Sequence, residues 1–454
     1  MNLPDYFIAD LPPEAAVNPA LIGEACQTLK RNRERYLAHR STHSLVHLLS
    51  ELAKSWLNPE FPFRKLALEK GSGSTGFSSA TLASGLDGFF KTLTPHAFET
   101  LLNQDLGHAH RLDKMTASEH EQKANRAALA TGPELLAHIA AGNLPSPAFM
   151  SIILGVLARS AQFVKCASGA ALLPRLLAHS IYDADPKLGA CIEIAEWRGG
   201  DAQCEQALFA EADCVIATGS DQTLEDIRRR VPPKTRLLGY GHRVSFAYVA
   251  HEAVTGWNAR KLAARAALDV AAWDQLGCLS PHVIYVQEGG ASTPEKFGEL
   301  LAEEMAEREA VEPRGQPPAE AAAAIASRRA IYELRAANSP GTRVWSSKGA
   351  TAWTVVYEAD PRFQLSCLYR FIYVKPVAGV SEALQHADAF RGRVSTVGLA
   401  SPEQRVHELA TELARWGVTR VCPLGQMQQP PLAWRHDGRL ALADLVVWSD
   451  WEQG

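Results

Sequence analysis

The stretch Asp274-Gln275-Leu276-Gly277-Cys278-Leu279-Ser280-Pro281 separates two segments of different periodicity. Ahead of it, Asn258 to Trp273 is rich in alanine and predicts a helix, and behind it His282-Val283-Ile284-Tyr285-Val286 predicts a strand. A thiol placed just after a glycine at such a junction can project into a cleft. A backbone N–H and the end of the preceding helix could there serve as oxyanion donor and thiolate stabiliser. The competing reading is a buried core cysteine, the commonest place for a free thiol.

Outward from this junction the same texture repeats. Gln162-Phe163-Val164-Lys165 and Asp213-Cys214-Val215-Ile216-Ala217 are β-rich, and they alternate with helical segments over 169–181 and 223–230. Such alternation predicts βαβ units around a largely parallel sheet. A domain boundary falls near residue 250. The first 130 residues are mostly helical in pattern, broken by the turn Asn58-Pro59-Glu60-Phe61-Pro62 and by Gly71-Ser72-Gly73-Ser74-Thr75-Gly76. The latter lacks the Lys-Ser/Thr ending of a phosphate loop and reads as a flexible loop. Pro313, Pro317 and Pro318 mark a connection leading into a helix, and 441–448 reads as a closing strand that pairs within the fold or with another subunit.

Composition narrows the function classes. The chain has 454 residues, 46% of them hydrophobic and 21% charged, so two or more domains are expected. A net charge of -4 offers no global attraction to nucleic acid or anionic lipid. The longest apolar stretch, 148–158, is well short of the roughly 20 residues that span a bilayer and predicts a buried helix. Met1-Asn2-Leu3-Pro4-Asp5-Tyr6 has neither a basic nor an apolar leader region, which points to the cytoplasm. The eight cysteines form no Cys-x-x-Cys pair, and no metal is expected.

Three motifs in order carry a resemblance: His138-Ile139-Ala140-Ala141-Gly142-Asn143-Leu144-Pro145, then Gln275 to Pro281, then Trp434-Arg435-His436-Asp437-Gly438. Together they resemble the acyl-CoA reductase family typified by the reductase subunit of the bacterial bioluminescence fatty-acid reductase, a distant branch of the aldehyde dehydrogenase superfamily. The resemblance implies an aldehyde dehydrogenase-like α/β fold with two Rossmann-like domains and a small oligomerisation element. It implies a helix-rich part over 1–130, a nicotinamide cofactor domain over 131–250, a catalytic domain over 251–435 and a strand segment over 436–454. Cys278 would be the nucleophile of an NADPH-dependent reduction of acyl-CoA or an acylated protein to the aldehyde. The implied partners are an acyl-protein synthetase and further copies of the chain.

The superfamily's oxyanion asparagine lies in an Asn-x-Pro turn, which Asn143-Leu144-Pro145 resembles; Asn143 as a mere helix cap is the alternative. Lys165-Cys166-Ala167-Ser168 resembles the Lys-Pro-Ser-Glu element that contacts the adenosine ribose. Ser168 replaces the acid that selects unphosphorylated cofactor, which favours NADPH; a solvated surface lysine at Lys165 is the alternative. Thr218-Gly219-Ser220 resembles the Phe-Thr-Gly-Ser turn, whose following helix start can hold a pyrophosphate. Leu238-Gly239-Tyr240-Gly241-His242-Arg243 stands where hydrolytic relatives have Glu-Leu-Gly-Gly, and it has no carboxylate to activate water. His242 is left as an acid, a thioester-binding group or a packed histidine. The acid that orients the nicotinamide ribose has no counterpart around Ser366-Cys367-Leu368-Tyr369-Arg370-Phe371. Two rivals remain: an aldehyde dehydrogenase working oxidatively, which needs the missing base, and a subunit that only carries an acyl group.

Overall fold

The computed structural model describes residues 3–12, 15 and 17–452. Met1 and Asn2, the start of the stretch read for a leader, lie outside the described residues. Contacts divide the chain into two compact units, one of residues 1–75, 89–241 and 431–454 and one of residues 76–88 and 242–430.

The first unit carries a two-stranded antiparallel sheet, β1 (Arg126–Thr131) with β14 (Val447–Glu452), and a five-stranded parallel sheet. The strands of the latter are β2 (Leu135–Ile139), β3 (Ala161–Cys166), β4 (Ile192–Glu196), β5 (Cys214–Thr218) and β6 (Arg236–Tyr240), in the order β4-β3-β2-β5-β6. The chain thus steps from β2 outward to β4 on one side, then returns past β2 to lay β5 and β6 on the other. That reversal makes a crevice at the carboxyl ends of β2 and β5, the place where doubly wound sheets bind nucleotides. The helices Pro19–Tyr36 and Ala202–Glu211 cover one face, with Ile22, Cys26, Leu29, Leu208 and Phe209 packed against Ala137, Phe163 and Val215. The apolar run after residue 145 is the helix Ser146–Leu157, largely buried in this unit.

The second unit is built on seven strands, β7 (Val244–Val249), β8 (Pro281–Gln287), β9 (Thr342–Ser346), β10 (Thr354–Glu358), β11 (Phe371–Val377), β12 (Val394–Ala400) and β13 (Arg420–Pro423), in the order β13-β12-β7-β8-β11-β10-β9. Only the edge strand β9 is antiparallel. Both faces are covered, so the central strands read as continuous apolar runs. Ala247, Val249, Ile284 and Val286 face the helices Gly256–Ala271 and Pro294–Val311, while Phe246, Tyr248, Val283 and Tyr285 face the side of Ile325 and Tyr332 from the helix Ala319–Asn338. The alternation is the period-two geometry of a strand.

Two local expectations are corrected. Gly71 to Thr75 is no loop: it is the end of the helix Pro62–Thr75. The Ser74 and Thr75 hydroxyls both bond the Gly71 carbonyl, at 3.2 and 2.7 Å, Gly71 itself is buried, and the helix runs up to Gly76, whose φ of +78° ends it. The closing strand also starts late, at Val447, because Leu442, Leu445 and Val446 are buried and their backbone coils in a short 3-10 turn, with the Leu442 N–H on Asp105 Oδ2 at 2.8 Å.

Candidate active site

In the first unit every candidate stands at the carboxyl ends of the strands. Asn143 lies exposed in the turn between β2 and the helix Ser146–Leu157. It is not that helix's cap, since the cap position is Pro145, which makes no side-chain cap bond. Gly142 beside it comes close to the loop after β3, where an added Cβ would meet Ala167 Cβ at 3.1 Å.

Lys165 is 4% exposed near the end of β3, with Nζ 5.8 Å from the Trp197 ring centre, so it is a buried cation and not a solvated one. Burial pulls its pKa below the usual lysine range, against the pull of Glu205, Cys166 and Glu196. Ser168 is exposed in the loop just beyond.

Thr218 ends β5, and Ser220 caps the helix Asp221–Arg230, its Oγ accepting from the Thr223 N–H at 3.2 Å. Gly219 between them donates to the Tyr240 carbonyl at 3.1 Å, and a Cβ there would press on Thr223 at 3.2 Å. This helix start borders the crevice between β2 and β5, where backbone N–H groups and the helix dipole favour phosphate. The residues present therefore fit a dinucleotide.

The segment 238–243 carries no carboxylate of its own, but Asp221 Oδ1 lies 2.6 Å from where a Cβ on Gly241 would stand, and Tyr240 is taken up by the third motif. Its ring stacks on His436 at 4.4 Å, Arg439 lies 4.3 Å over it, and Arg439 donates to the Gly239 carbonyl at 2.9 Å.

In the second unit Cys278 and His242 stand at the amino ends of β8 and β7, two strands paired side by side. Of the eight cysteines, all described, Cys278 is the exposed one. Burial pushes Cys26, Cys166, Cys191 and Cys214 up to about 12 and Cys204 and Cys422 up to about 11, and raises half-buried Cys367. The core reading holds for most of the cysteines and not for Cys278. Its flanks Gly277 and Leu279 are buried, and its carbonyl accepts from Ser245 Oγ of β7 at 2.7 Å, while that hydroxyl accepts from the Thr396 N–H at 3.1 Å. The Ser280 N–H closes the turn on the Gly277 carbonyl at 2.9 Å. The backbone of Cys278 is thus tied to the sheet while the residue itself stays exposed.

His242 is exposed, so it is not packed. A second histidine, missed by sequence reasoning, stands near it: His282 in β8, 8% exposed. Its Nδ1 accepts from the Ser366 N–H at 3.1 Å, which puts the ring proton on Nε2, and burial, then the charge of His242, push its pKa down to about 4. Sequence reasoning also gave no role to Asp274, Gln275 and Arg370, which bond across to one another and to Phe371 just ahead of Cys278, or to Glu196. A strand histidine and a buried acid carry no local pattern that marks them.

Among the described residues no three His, Cys, Asp or Glu side chains gather as a metal-holding group, and no helix is long and apolar enough to cross a membrane.

Comparison with known proteins agrees with this geometry. The family model described as Acyl-CoA reductase (LuxC) matches residues 37–448. The long-chain acyl-protein thioester reductase of Aliivibrio fischeri is 24% identical over 415 residues, covering 89% of this chain and 81% of that one. The protein of the same name from Photorhabdus laumondii is 21% identical over 417 residues, covering 90% and 82%. Among solved structures, the putative aldehyde dehydrogenase PutA from Anabaena variabilis superposes with a TM-score of 0.67 at 16% identity, over 97% of this chain and 93% of that one. A NAD-dependent benzaldehyde dehydrogenase from Corynebacterium glutamicum gives 0.67 at 12% identity, over 96% and 90%. The fold is that of the aldehyde dehydrogenases.

Proposed function

This chain belongs to the acyl-CoA reductase (LuxC) family, and from that premise we propose that it reduces a fatty acyl thioester, carried on CoA or on a protein, to the aldehyde through an acyl-cysteine at Cys278, with NADPH as hydride donor. The observation that carries the reading is the exposure of Cys278 on a turn tied to β7, where the other seven cysteines are buried or half-buried.

The Cys278 thiolate attacks the thioester carbonyl carbon. The carbonyl oxygen becomes an oxyanion, which accepts from the Asn143 side-chain amide and the Cys278 N–H. Collapse breaks the bond to the carrier sulfur and leaves an acyl-enzyme, the carrier thiolate taking up a proton. His242, exposed at the start of β7, gives that proton or holds the thioester head. Lys165 and the loop of Ser168 hold the adenosine end of the cofactor, and Thr218, Gly219 and Ser220 its pyrophosphate. When bound, the nicotinamide supplies a hydride to the acyl carbon. The resulting hemithioacetal oxyanion on Cys278 then collapses, breaking the C–S bond to release aldehyde and restore the Cys278 thiolate. The segment Leu238 to Arg243 offers no carboxylate of its own to activate water against the acyl-enzyme, which disfavours the oxidative, acid-forming rival.

The same reading carries a cytoplasmic enzyme that associates with further copies of itself and receives its acyl group from an acyl-protein synthetase. Incubation with a panel of acyl-CoAs, with and without NADPH, tests it by covalent mass on the protein and aldehyde in solution. Acylation with no aldehyde under any cofactor would leave only an acyl-carrying subunit.

A further inference from the structure

Glu196 ends β4 opposite Cys166, the last residue of β3, in parallel register. Its Oε1 accepts from the Gly169 N–H at 2.7 Å. The carboxylate is therefore carried sideways into the loop that follows β3, next to exposed Ser168. Lys165, buried in the same corner against Trp197, feels the negative charge of Glu196. The sequence of the β3 loop has lost its acid, yet the structure returns one to it from the neighbouring strand.

In parallel sheets of this order an acid near the end of the strand next to the central one accepts from the adenosine 2′-hydroxyl, and the same charge repels a 2′-phosphate. The second strand here is β3, and the acid at its end comes from β4. We propose that Glu196 sets the balance between NADPH and NADH: it opposes the attraction of Lys165 for the 2′-phosphate and keeps NADH within reach. The inference rests on the nicotinamide reading above and concerns only which of the two cofactors the site prefers.

Glu196→Gln keeps an oxygen for the Gly169 N–H and removes the charge. NADPH, NADH, 2′-AMP and 5′-AMP are titrated against the wild type and this variant by calorimetry, without any acyl substrate. The expected result is a rise in the preference for the 2′-phosphorylated member of each pair by at least about fivefold, the size of a like-charge repulsion at a water-exposed site, shrinking at high salt. Equal shifts for both members of a pair, or no shift, overturn the proposal by reducing Glu196 to a brace for the loop. If the wild type binds neither cofactor, the nicotinamide reading itself falls, and this inference falls with it.

Discussion

Asp274 and Arg370, 96 residues apart in the chain, meet as a buried ion pair, with Arg370 Nη2 2.8 Å and Nε 3.0 Å from Asp274 Oδ1. Each lies in a run of three left-handed residues. Trp273, Asp274 and Gln275 have φ of 52, 49 and 65°, and Leu368, Tyr369 and Arg370 have φ of 62, 52 and 66°. Such a conformation costs a non-glycine residue about 1–2 kcal/mol and persists only where its surroundings impose it. Here the pair imposes it together with Gln275, whose side chain bonds the Phe371 N–H at 2.8 Å and the Phe371 carbonyl at 2.9 Å. The strained turn runs straight into Gly277 and Cys278.

Arg370→Leu leaves the Asp274 carboxylate buried without its main counter-charge. The expected loss of stability is about 3–5 kcal/mol, the usual effect of removing one member of a buried pair. Alkylation of Cys278 by iodoacetamide, timed at temperatures where the variant is still folded, should also change, because the turn that presents the thiol loses its brace. An unchanged melting temperature together with an unchanged alkylation rate would show that the paired turns hold themselves.

His282 gives a pH dependence of known sign. Its pKa falls from 6.5 to about 4 on folding, so between those values the unfolded chain binds the extra proton and stability rises with pH, reaching its full value above 6.5. The contribution at neutral pH amounts to roughly 3 kcal/mol. Denaturation of wild type and His282→Asn at pH 7 and pH 4.5 isolates it: the destabilisation caused by the substitution should shrink by roughly 2–3 kcal/mol at the lower pH. A difference that stays constant or grows with acid means the ring is already charged in the native state.

The elements with clear periodicity were legible. The helix before Cys278 and the strand after it appear as Gly256–Ala271 and Pro281–Gln287, and the strands around Phe163 and Val215 lie within two residues of their expected limits. What the sequence hid was tertiary. Gly71-Ser72-Gly73 carries local signals for a loop, yet it is helical, with Gly71 buried and the hydroxyls of Ser74 and Thr75 on the Gly71 carbonyl. Asn143, Lys165 and Cys278 were singled out by motif, while their surroundings came only from the fold: Pro145 stands at the helix cap position, Trp197 lies against the lysine, and Ser245 bonds the cysteine's carbonyl. The acid at Glu196 was invisible because its contact with the β3 loop spans two strands.

Cofactor choice is the next expectation. With Ser168 in place of an acid and Lys165 nearby, kcat/KM for NADPH should exceed that for NADH, and Ser168→Glu should lower the NADPH value while sparing NADH. Equal or reversed values in the wild type would contradict the preference for NADPH.

Asn143→Ala should slow acyl loading and acyl reduction alike, since both steps pass through an oxyanion on the same carbon. Loss of one such donor costs about 2.7–4 kcal/mol, which is roughly 100- to 1000-fold in each step. Slowing of one step alone, read by rapid-quench kinetics, would assign Asn143 to a task other than the oxyanion.

Single-turnover mass spectrometry of the acylated enzyme tests the central claim most directly. The account predicts one acyl group on Cys278 and none on Cys278→Ala. It predicts that the wild-type adduct persists when NADPH is withheld and discharges quickly to aldehyde when it is added. Acylation of the Cys278→Ala protein would contradict the account, and so would discharge to free acid at a rate matching reduction, with His242 then the first candidate for the water-activating base.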